Sequence, residues 1–332
     1  MKYDKTAVIM FSMGTPDKEE DVELFLKNIF LDPDIIKIPG GKYLSPILAK
    51  IIAKRRTKKA KNYYRNNEGK SHLLINTINQ ANKLQAKLKD VKIFIAMRYW
   101  HPLLEEIIDE IANNYRNLIL LPLYPQYSRT TIGSFYNHFN RLIEERKINF
   151  NKVRFIESYH NNEFFTLAII KKVRELMSKD KGIDLAHTVI ILSAHSIPKY
   201  IDKEGDPYIK QVYETVKLVE EGLRESISDR LIIKLAFQSK VGLKRWTGPF
   251  LSDVIRILIK TREAESIIVV PISFVADNVE TVYELGVVYR KKAYEYGAKN
   301  YSLVECVNDD DLYIECLHKL VRRELNEMIG SD

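Results

Sequence analysis

The sequence predicts an α/β fold made of two doubly wound lobes with parallel sheets and a cleft between them. Three observations carry this prediction. Short apolar runs alternate with amphipathic stretches along the whole chain, which is how strands buried on both faces alternate with covering helices. The chain has 332 residues and 45% hydrophobic content, more than one average domain and enough for two cores. The two halves also echo each other: Val8 to Gly14 (VIMFSMG) resembles Val189 to His195 (VIILSAH), and LILLPLYPQYS resembles IIVVPISFVAD with Pro122 matching Pro271.

In chain order, Ala7 to Phe11 is the first expected strand, and its run ends at Gly14 and Pro16. An insertion from about Asp34 to Lys70 follows, without a counterpart in the second half. Within it Leu44, Ile47, Leu48, Ile51 and Ile52 recur at helical spacing beside Lys50, Lys54, Arg55, Arg56, Lys58, Lys59, Lys61 and Arg65. A basic amphipathic helix of this kind fits either a packed surface position or an anionic membrane surface. Lys92 to Ala96 and Leu118 to Leu123 are the next strands, separated by a helix over Pro102 to Asn114. In the second half, strands are expected at Thr188 to Leu192, Ile232 to Phe237 and Ile267 to Pro271, with a helix over Pro249 to Thr261. The lobes are therefore placed at residues 1–160, carrying the insertion at about 34–70, and at residues 161–332.

Composition narrows the function classes. No apolar stretch approaches the roughly 20 residues that span a bilayer. The start of the chain, Tyr3, Asp4 and Lys5, does not read as a signal peptide, so a cytoplasmic location is expected, peripheral to the membrane at most. Cys306 and Cys316 supply neither a disulfide framework nor a thiolate metal site. The net charge of +8 gathers in the insertion rather than beside the aromatic loops, and no nucleic-acid motif or phosphate cradle follows any strand. Nucleic-acid binding is not expected.

Chemistry in a doubly wound fold belongs to the loops at the carboxyl ends of strands. His195 projects there from LSAHSIPKYIDKEGDPY, before Pro198 breaks regular structure. After another strand, VVPISFVADNVETVYELG offers Asp277, Glu280 and Glu284; local sequence favours a capping box in which Glu280 reaches back to Asp277 at the helix N-cap. A third loop, LPLYPQYSRTTIGSFYNHF, brings Tyr124, Tyr127, Ser128, Arg129, Thr130 and Thr131 together, and MRYW adds Arg98 and Tyr99. Aromatic faces beside hydroxyls and Arg suit a large, flat, anionic ligand.

Taken together these segments resemble the ferrochelatase family. The resemblance rests on SMGTP, MRYWHP, LPLYPQYSRTTIGS, LSAHSIP with GDPY, FQSKVGLKRWTGP and VADNVETVYE, in the family's order, from Val8 to about Leu320. It implies two Rossmann-like lobes with a porphyrin cleft between them. It also implies that His195 and Glu280 flank the bound macrocycle, sharing metal handling and removal of the pyrrole protons. Carried over by position, Arg98, Tyr99, Tyr124, Ser128, Trp246 and Phe274 would line the cleft, and Met13 would approach the opposite face of the ring. Family members acting on coproporphyrin tend to have Tyr at that position and protoporphyrin users Met. The chain departs from the pattern at Asn278, where the family commonly has a His able to relay a proton.

The expectation is thus a lyase that inserts Fe(II) into protoporphyrin IX to form protoheme in heme biosynthesis. Porphyrin and ferrous iron are its substrates. No tightly bound cofactor is expected, and no iron-sulfur cluster, because the C-terminus lacks the cysteines of cluster-bearing members. A monomer or weak dimer is expected. The alternatives are a chelatase for coproporphyrin III or another metal, and a porphyrin or heme carrier without turnover.

Overall fold

The structure is a computed structural model that describes residues 5–35, 41–65, 72–179, 183–239 and 245–330. It divides into two compact units, Met1–Ser158 with Ile314–Asp332, and Tyr159–Tyr313.

The first unit runs β1 (Thr6–Ser12), α1 (Val22–Leu31), α2 (Gly41–Arg65), α3 (His72–Lys87), β2 (Lys92–Met97), α4 (Leu104–Asn114) and β3 (Asn117–Pro122). A π-helical turn (Arg129–Gly133), α5 (Ser134–Glu145) and β4 (Lys152–Phe155) complete the run. The second unit contains α6 (Glu163–Lys179), β5 (Thr188–His195), α7 (Lys199–Lys203), α8 (Tyr208–Ser226), β6 (Ile232–Gln238), α9 (Leu251–Lys260) and β7 (Ser266–Pro271). It continues through a longer π-helix (Glu280–Tyr289), α10 (Arg290–Tyr296) and β8 (Asn300–Leu303). The last helix, α11 (Asp311–Gly330), follows.

The two four-stranded sheets are wholly parallel, ordered β2-β1-β3-β4 and β6-β5-β7-β8. Their central strands are largely apolar and enclosed because helices cover both faces: every residue of β1 is buried, as is every residue of β5 except His195. On one face of the first sheet Ile9, Phe11, Leu118 and Leu120 pack with Ile108, Phe135 and Phe139 from α4 and α5. In the second unit Val189, Ile191, Ile267 and Val269 pack with Leu251, Ile255 and Leu285.

Strand register corrects the pairing of the two halves read from sequence. Phe11 pairs with Pro122 and Ser193 with Pro271. Ser12 pairs with Met97, whose N–H donates to the Pro102 carbonyl (2.6 Å); Ala194 pairs with Phe237, whose N–H donates to the Pro249 carbonyl (2.8 Å). Ser12 therefore corresponds to Ala194, and the residue matching His195 is Met13 rather than Gly14. The sequence pairing slipped by one residue because both runs are apolar enough to align in either register.

Two further expectations change. The segment Ile314–Asp332, expected in the second lobe, belongs to the first unit. The amphipathic α11 is held there by Arg322 on Asp90 (2.7 Å), Lys87 on Glu315 (2.8 Å) and Arg154 on Glu324 (2.9 Å). In the insertion, the stripe of α2 that packs inward is Ala49, Ala53 and Thr57, with Ala49 and Ala53 against Phe30, while Ile47, Leu48 and Ile51 are 58%, 38% and 44% exposed. Small side chains let α2 approach α1 closely, which leaves Ile47, Leu48 and Ile51 outside while Ile52 packs partly inward. Residues 36–40 and 66–70 of the insertion, the Leu44, Lys59 and Arg65 side chains, and residues 240–244 of the FQSKVGLKRWTGP segment lie outside the described residues.

Candidate active site

His195 is the last residue of β5, two positions beyond the point where Pro271 ends pairing with β7. Its ring is fixed from one side: the Nδ1–H donates to the Ser196 carbonyl at 2.6 Å, since a carbonyl can only accept. In the neutral imidazole this leaves the lone pair on Nε2. That nitrogen lies 3.5 Å from Glu280 Oε2, too far for a good hydrogen bond, and the two side chains are 35% and 27% exposed. Phe274 stands edge-on to the imidazole, 6.3 Å between ring centroids.

Glu280 opens the π-helix after β7. Its N–H is capped by Asn278 Oδ1 (2.8 Å), while Asn278 Nδ2 donates to the Ala276 carbonyl (3.0 Å). The cap is therefore Asn278, not Asp277, and the Glu280 side chain is not turned back into a capping box. Asp277 instead accepts from the Thr281 hydroxyl (2.9 Å) and Asn308 Nδ2 (2.7 Å), tying the helix start to the loop after β8. With both polar ends of its amide on the main chain, Asn278 is occupied in building the turn that aims Glu280.

Ser239, one residue past β6 and at φ 63°, contributes a hydroxyl to both carboxylates, 3.1 Å from Glu280 Oε2 and 2.5 Å from Glu284 Oε2. A serine hydroxyl carries one proton, so it cannot donate to both at once. Burial, reinforced by the Glu280 charge, pushes Glu284 up to about 7, against which the Ser239 hydrogen bond works only in part. The group thus brings together an imidazole, a partly exposed carboxyl and a second, more buried carboxyl that gains or loses a proton readily near neutral pH. Ser239 was not singled out from sequence, although it lies in the FQSK segment; its role depends on Glu284, 45 positions away.

The loops around His195 are stitched together. Ser196 Oγ donates to the Thr247 carbonyl (2.7 Å), Thr247 N–H to the Ile197 carbonyl (2.9 Å), and Trp246 bridges Pro198. Trp246 and Phe274, both partly exposed, flank this loop cluster in the second unit.

The remaining expected residues lie in the first unit. Arg98 Nη2 pairs with Asp32 Oδ2 (2.8 Å), the Tyr99 hydroxyl donates to the same oxygen (2.7 Å), and Ser134 Oγ does so at 2.5 Å. Burial pushes the Asp32 carboxyl up, but the Arg98 guanidinium and the two hydroxyls more than offset it and hold it below the usual range. Burial, then the Asp32 charge, drives the Tyr99 phenol well above its ordinary value. Tyr99 is 2% exposed and Ser128 1%, the latter capping the π-turn by accepting from Thr130 N–H (3.3 Å). Both hydroxyls are taken up by hydrogen bonds within the first unit. Tyr124 is partly buried against the first core, and Met13 packs beside Phe25, Tyr99 and Trp100. Asp32 escaped the sequence reading because its partner Arg98 is 66 positions away.

Comparison with known proteins decides the family. The ferrochelatase family profile matches residues 5–325. The chain belongs to the ferrochelatase family. It is 40% identical over 323 residues to a ferrochelatase of Aquifex aeolicus, covering 97% of this chain and 100% of that one. To a ferrochelatase of a Sulfurihydrogenibium species it is 37% identical, covering 97% and 99%. The fold is shared with SirB from Bacillus subtilis, solved with Fe3+ (TM-score 0.59, 12% identity, 98% of each chain). It is also shared with CbiX, the terminal enzyme of siroheme biosynthesis in denitrifying bacteria (TM-score 0.51, 10% identity, 96% and 98%). Membership makes the chain a metal chelatase of the lyase class.

One family-based expectation fails on geometry. His195 and Glu280 do not stand on opposite faces of a macrocycle, because a flat ring held between them needs two contacts of roughly 3.5 Å, about 7 Å in all. At 3.5 Å they are neighbours presenting to the same space.

Proposed function

We propose that this ferrochelatase inserts Fe(II) into protoporphyrin IX to form protoheme. The observation that carries the proposal is the pairing of the His195 Nε2 lone pair with the Glu280 carboxylate at 3.5 Å, at the carboxyl ends of β5 and β7. Insertion replaces two pyrrole N–H protons by one divalent ion. The site must therefore accept protons and present donors that release the metal afterwards. Two ligands on one ion at about 2.1 Å lie roughly 3 Å apart, so His195 and Glu280 need only a small movement to share an incoming cation. A resident ion would ask for three or four such donors. His195 takes a pyrrole proton on Nε2 while Nδ1–H stays on Ser196. Glu280 accepts the second, and Ser239 links it to Glu284, whose pKa of about 7 lets it hold a proton and return it to solvent. Asn278 carries no proton in this scheme.

Protoporphyrin is favoured over coproporphyrin by Met13, the residue matching His195 in the first sheet. Anaerobic Fe(II) insertion, followed by absorbance with each porphyrin and with Co(II) and Zn(II) in parallel, tests the reading. The parent chain is expected to turn over with protoporphyrin IX and to lose at least about 10²-fold in His195→Ala and Glu280→Gln. Tight porphyrin binding without product in the parent would instead identify a carrier, and a preference for coproporphyrin III would move the substrate.

Peripheral contact with an anionic membrane is favoured by one face of α2, where Ile47, Leu48 and Ile51 are exposed among the exposed Lys50, Lys54, Arg55 and Lys58. No helix among the described residues is long and apolar enough to cross a membrane. The full chain should co-sediment with vesicles containing phosphatidylserine, and Ile47→Ser/Ile51→Ser/Lys50→Glu should abolish this. Equal binding to neutral vesicles, or none by the parent, would remove the proposal.

A further inference from the structure

His195 stays in register with Gln238 of β6 but extends past the end of β7, so on that side its main chain lacks the partners that a residue flanked by two strands has. β7 has stopped at Pro271, and the Ile272 N–H closes the ladder on the Ser193 carbonyl at 2.9 Å. Beyond that point two side chains take over. The His195 N–H donates to Ser273 Oγ (3.0 Å), and the His195 carbonyl accepts from the Tyr208 hydroxyl (2.9 Å). Ser273 and Tyr208 are also hydrogen-bonded to each other. Only one proton assignment satisfies all three groups. His195 N–H donates to Ser273, Ser273 O–H to the Tyr208 oxygen, and Tyr208 O–H to the His195 carbonyl, closing a ring of donors that reinforce one another.

The surroundings favour a rigid ring. Tyr208 is 6% exposed and Ser273 8%, and burial drives the phenol far above its ordinary range, so it stays a donor at every pH of interest. Tyr208 is itself held, as the first residue of α8, by its N–H on Asp206 Oδ1 (3.0 Å). The preceding Gly205 turns the chain at φ +91°, where a side chain is disfavoured. The GDPY segment thus reads as a device for delivering one phenol to one carbonyl.

We infer that Tyr208 and Ser273 are positioning residues that clamp the His195 main chain and thereby set the tautomer and direction of its imidazole. The link is geometric. The carbonyl that Tyr208 holds belongs to the peptide joining His195 to Ser196, and the next carbonyl, that of Ser196, takes the Nδ1 proton. If the first peptide plane rotates, the second carbonyl leaves Nδ1 and the lone pair is no longer confined to Nε2. Neither side chain needs to touch substrate for this.

The test uses the full chain with Tyr208→Phe, Ser273→Ala, Ser273→Thr and the double variant Tyr208→Phe/Ser273→Ala. Its kinetic arm rests on the metal-insertion reading, and its spectroscopic arm does not. In Tyr208→Phe, kcat for Fe(II) insertion should fall roughly tenfold to a hundredfold with porphyrin KM unchanged, the signature of a misplaced reacting group. The double variant should lose about as much as either single, because both break the same ring. Ser273→Thr, which keeps the hydroxyl, should recover most of the rate. Nitrogen-15 spectra of the His195 imidazole should show a protonated Nδ1 and a lone-pair Nε2 in the parent, and averaged shifts in Tyr208→Phe. Parent-like shifts together with parent-like kcat, or a loss confined to melting temperature, would overturn the inference. A parent that inserts no metal would end the metal-insertion reading while the imidazole spectra still decide the clamp, and if Tyr208→Phe does not fold, Ser273→Ala carries the same comparison.

Discussion

The first unit contains a counterpart of the second unit's site, built on the same positions and put to a different use. Tyr99 lies two residues beyond Met97 as Ser239 lies two beyond Phe237, and Met97 and Phe237 match by register. Ser128 and Asn278 each cap the residue two ahead, Thr130 and Glu280, and six residues past each cap stand Ser134 and Glu284. The hydroxyl of Tyr99 meets Ser134 at 3.0 Å where Ser239 meets Glu284 at 2.5 Å. Met13 takes the place of His195. In the first unit the carboxylate comes from outside this frame, from Asp32 at the end of α1. It meets a guanidinium and two hydroxyls and is sealed. In the second unit the carboxylates come from the frame itself, meet an imidazole and one shared hydroxyl, and stay partly open. One scaffold therefore supports a saturated network that holds structure and an unsaturated one whose leftover lone pairs can take protons or a metal.

The sharpest way to break this comparison is to remove the carboxylate from each. Asp32→Ala strands the Arg98 guanidinium, only 14% exposed, without its counter-charge, and should cost about 3–5 kcal/mol of unfolding free energy in urea at pH 7. The same truncation at Glu280, whose side chain is 27% exposed and meets no Arg or Lys in an ion pair among the described residues, should change stability by less than about 1 kcal/mol while removing activity. The sign with pH follows from the depressed Asp32 value: its stabilisation is present above the ordinary aspartate range and is lost as pH falls through the lower native value. The gap between parent and Asp32→Ala should therefore narrow in acid. Equal costs at the two positions would show that the first network is no more saturated than the second.

What could be read from sequence divides along the same lines. The central strands were legible because burial on both faces leaves unbroken apolar runs. The edge strands β4 (KVRF) and β8 (NYSL) were not, since a half-exposed four-residue edge has no such run. His195 and Glu280 could be named because they stand where strands end, and the family resemblance supplied their pairing. Their mutual position, side by side rather than across a ring, needed coordinates. Nothing in a 3.6-residue periodicity signals that Glu280–Tyr289 widens into a π-helix, so the Asn278 cap was mistaken for one at Asp277. Asp32, Ser239 and Tyr208 act through partners that only the fold brings near, and single residues in loops carry no pattern that announces such contacts.

The comparison is sharpened by the opposite sign expected at Glu284. Its carboxyl is raised from 4.5 to about 7 by burial and by Glu280, so between these values the folded protein binds more protons than the unfolded chain. Stability from this group is complete below the unfolded value and is lost as pH rises toward 7 and beyond, the reverse of Asp32. A shift of that size corresponds to at most about 3 kcal/mol, and partial exposure lowers the realistic figure to on the order of 1–2 kcal/mol. Glu284→Gln, which keeps the shape and the Ser239 contact without the charge, should therefore raise the urea-unfolding free energy by that amount at pH 8.5 and leave it unchanged at pH 4.5. It should also flatten the neutral limb of the insertion rate against pH, because the second proton acceptor is gone. A Glu284→Gln protein no more stable than its parent at pH 8.5 would mean that the two carboxylates are solvated well enough to ionise together, and the second unit's site would then hold two full charges and no stored proton.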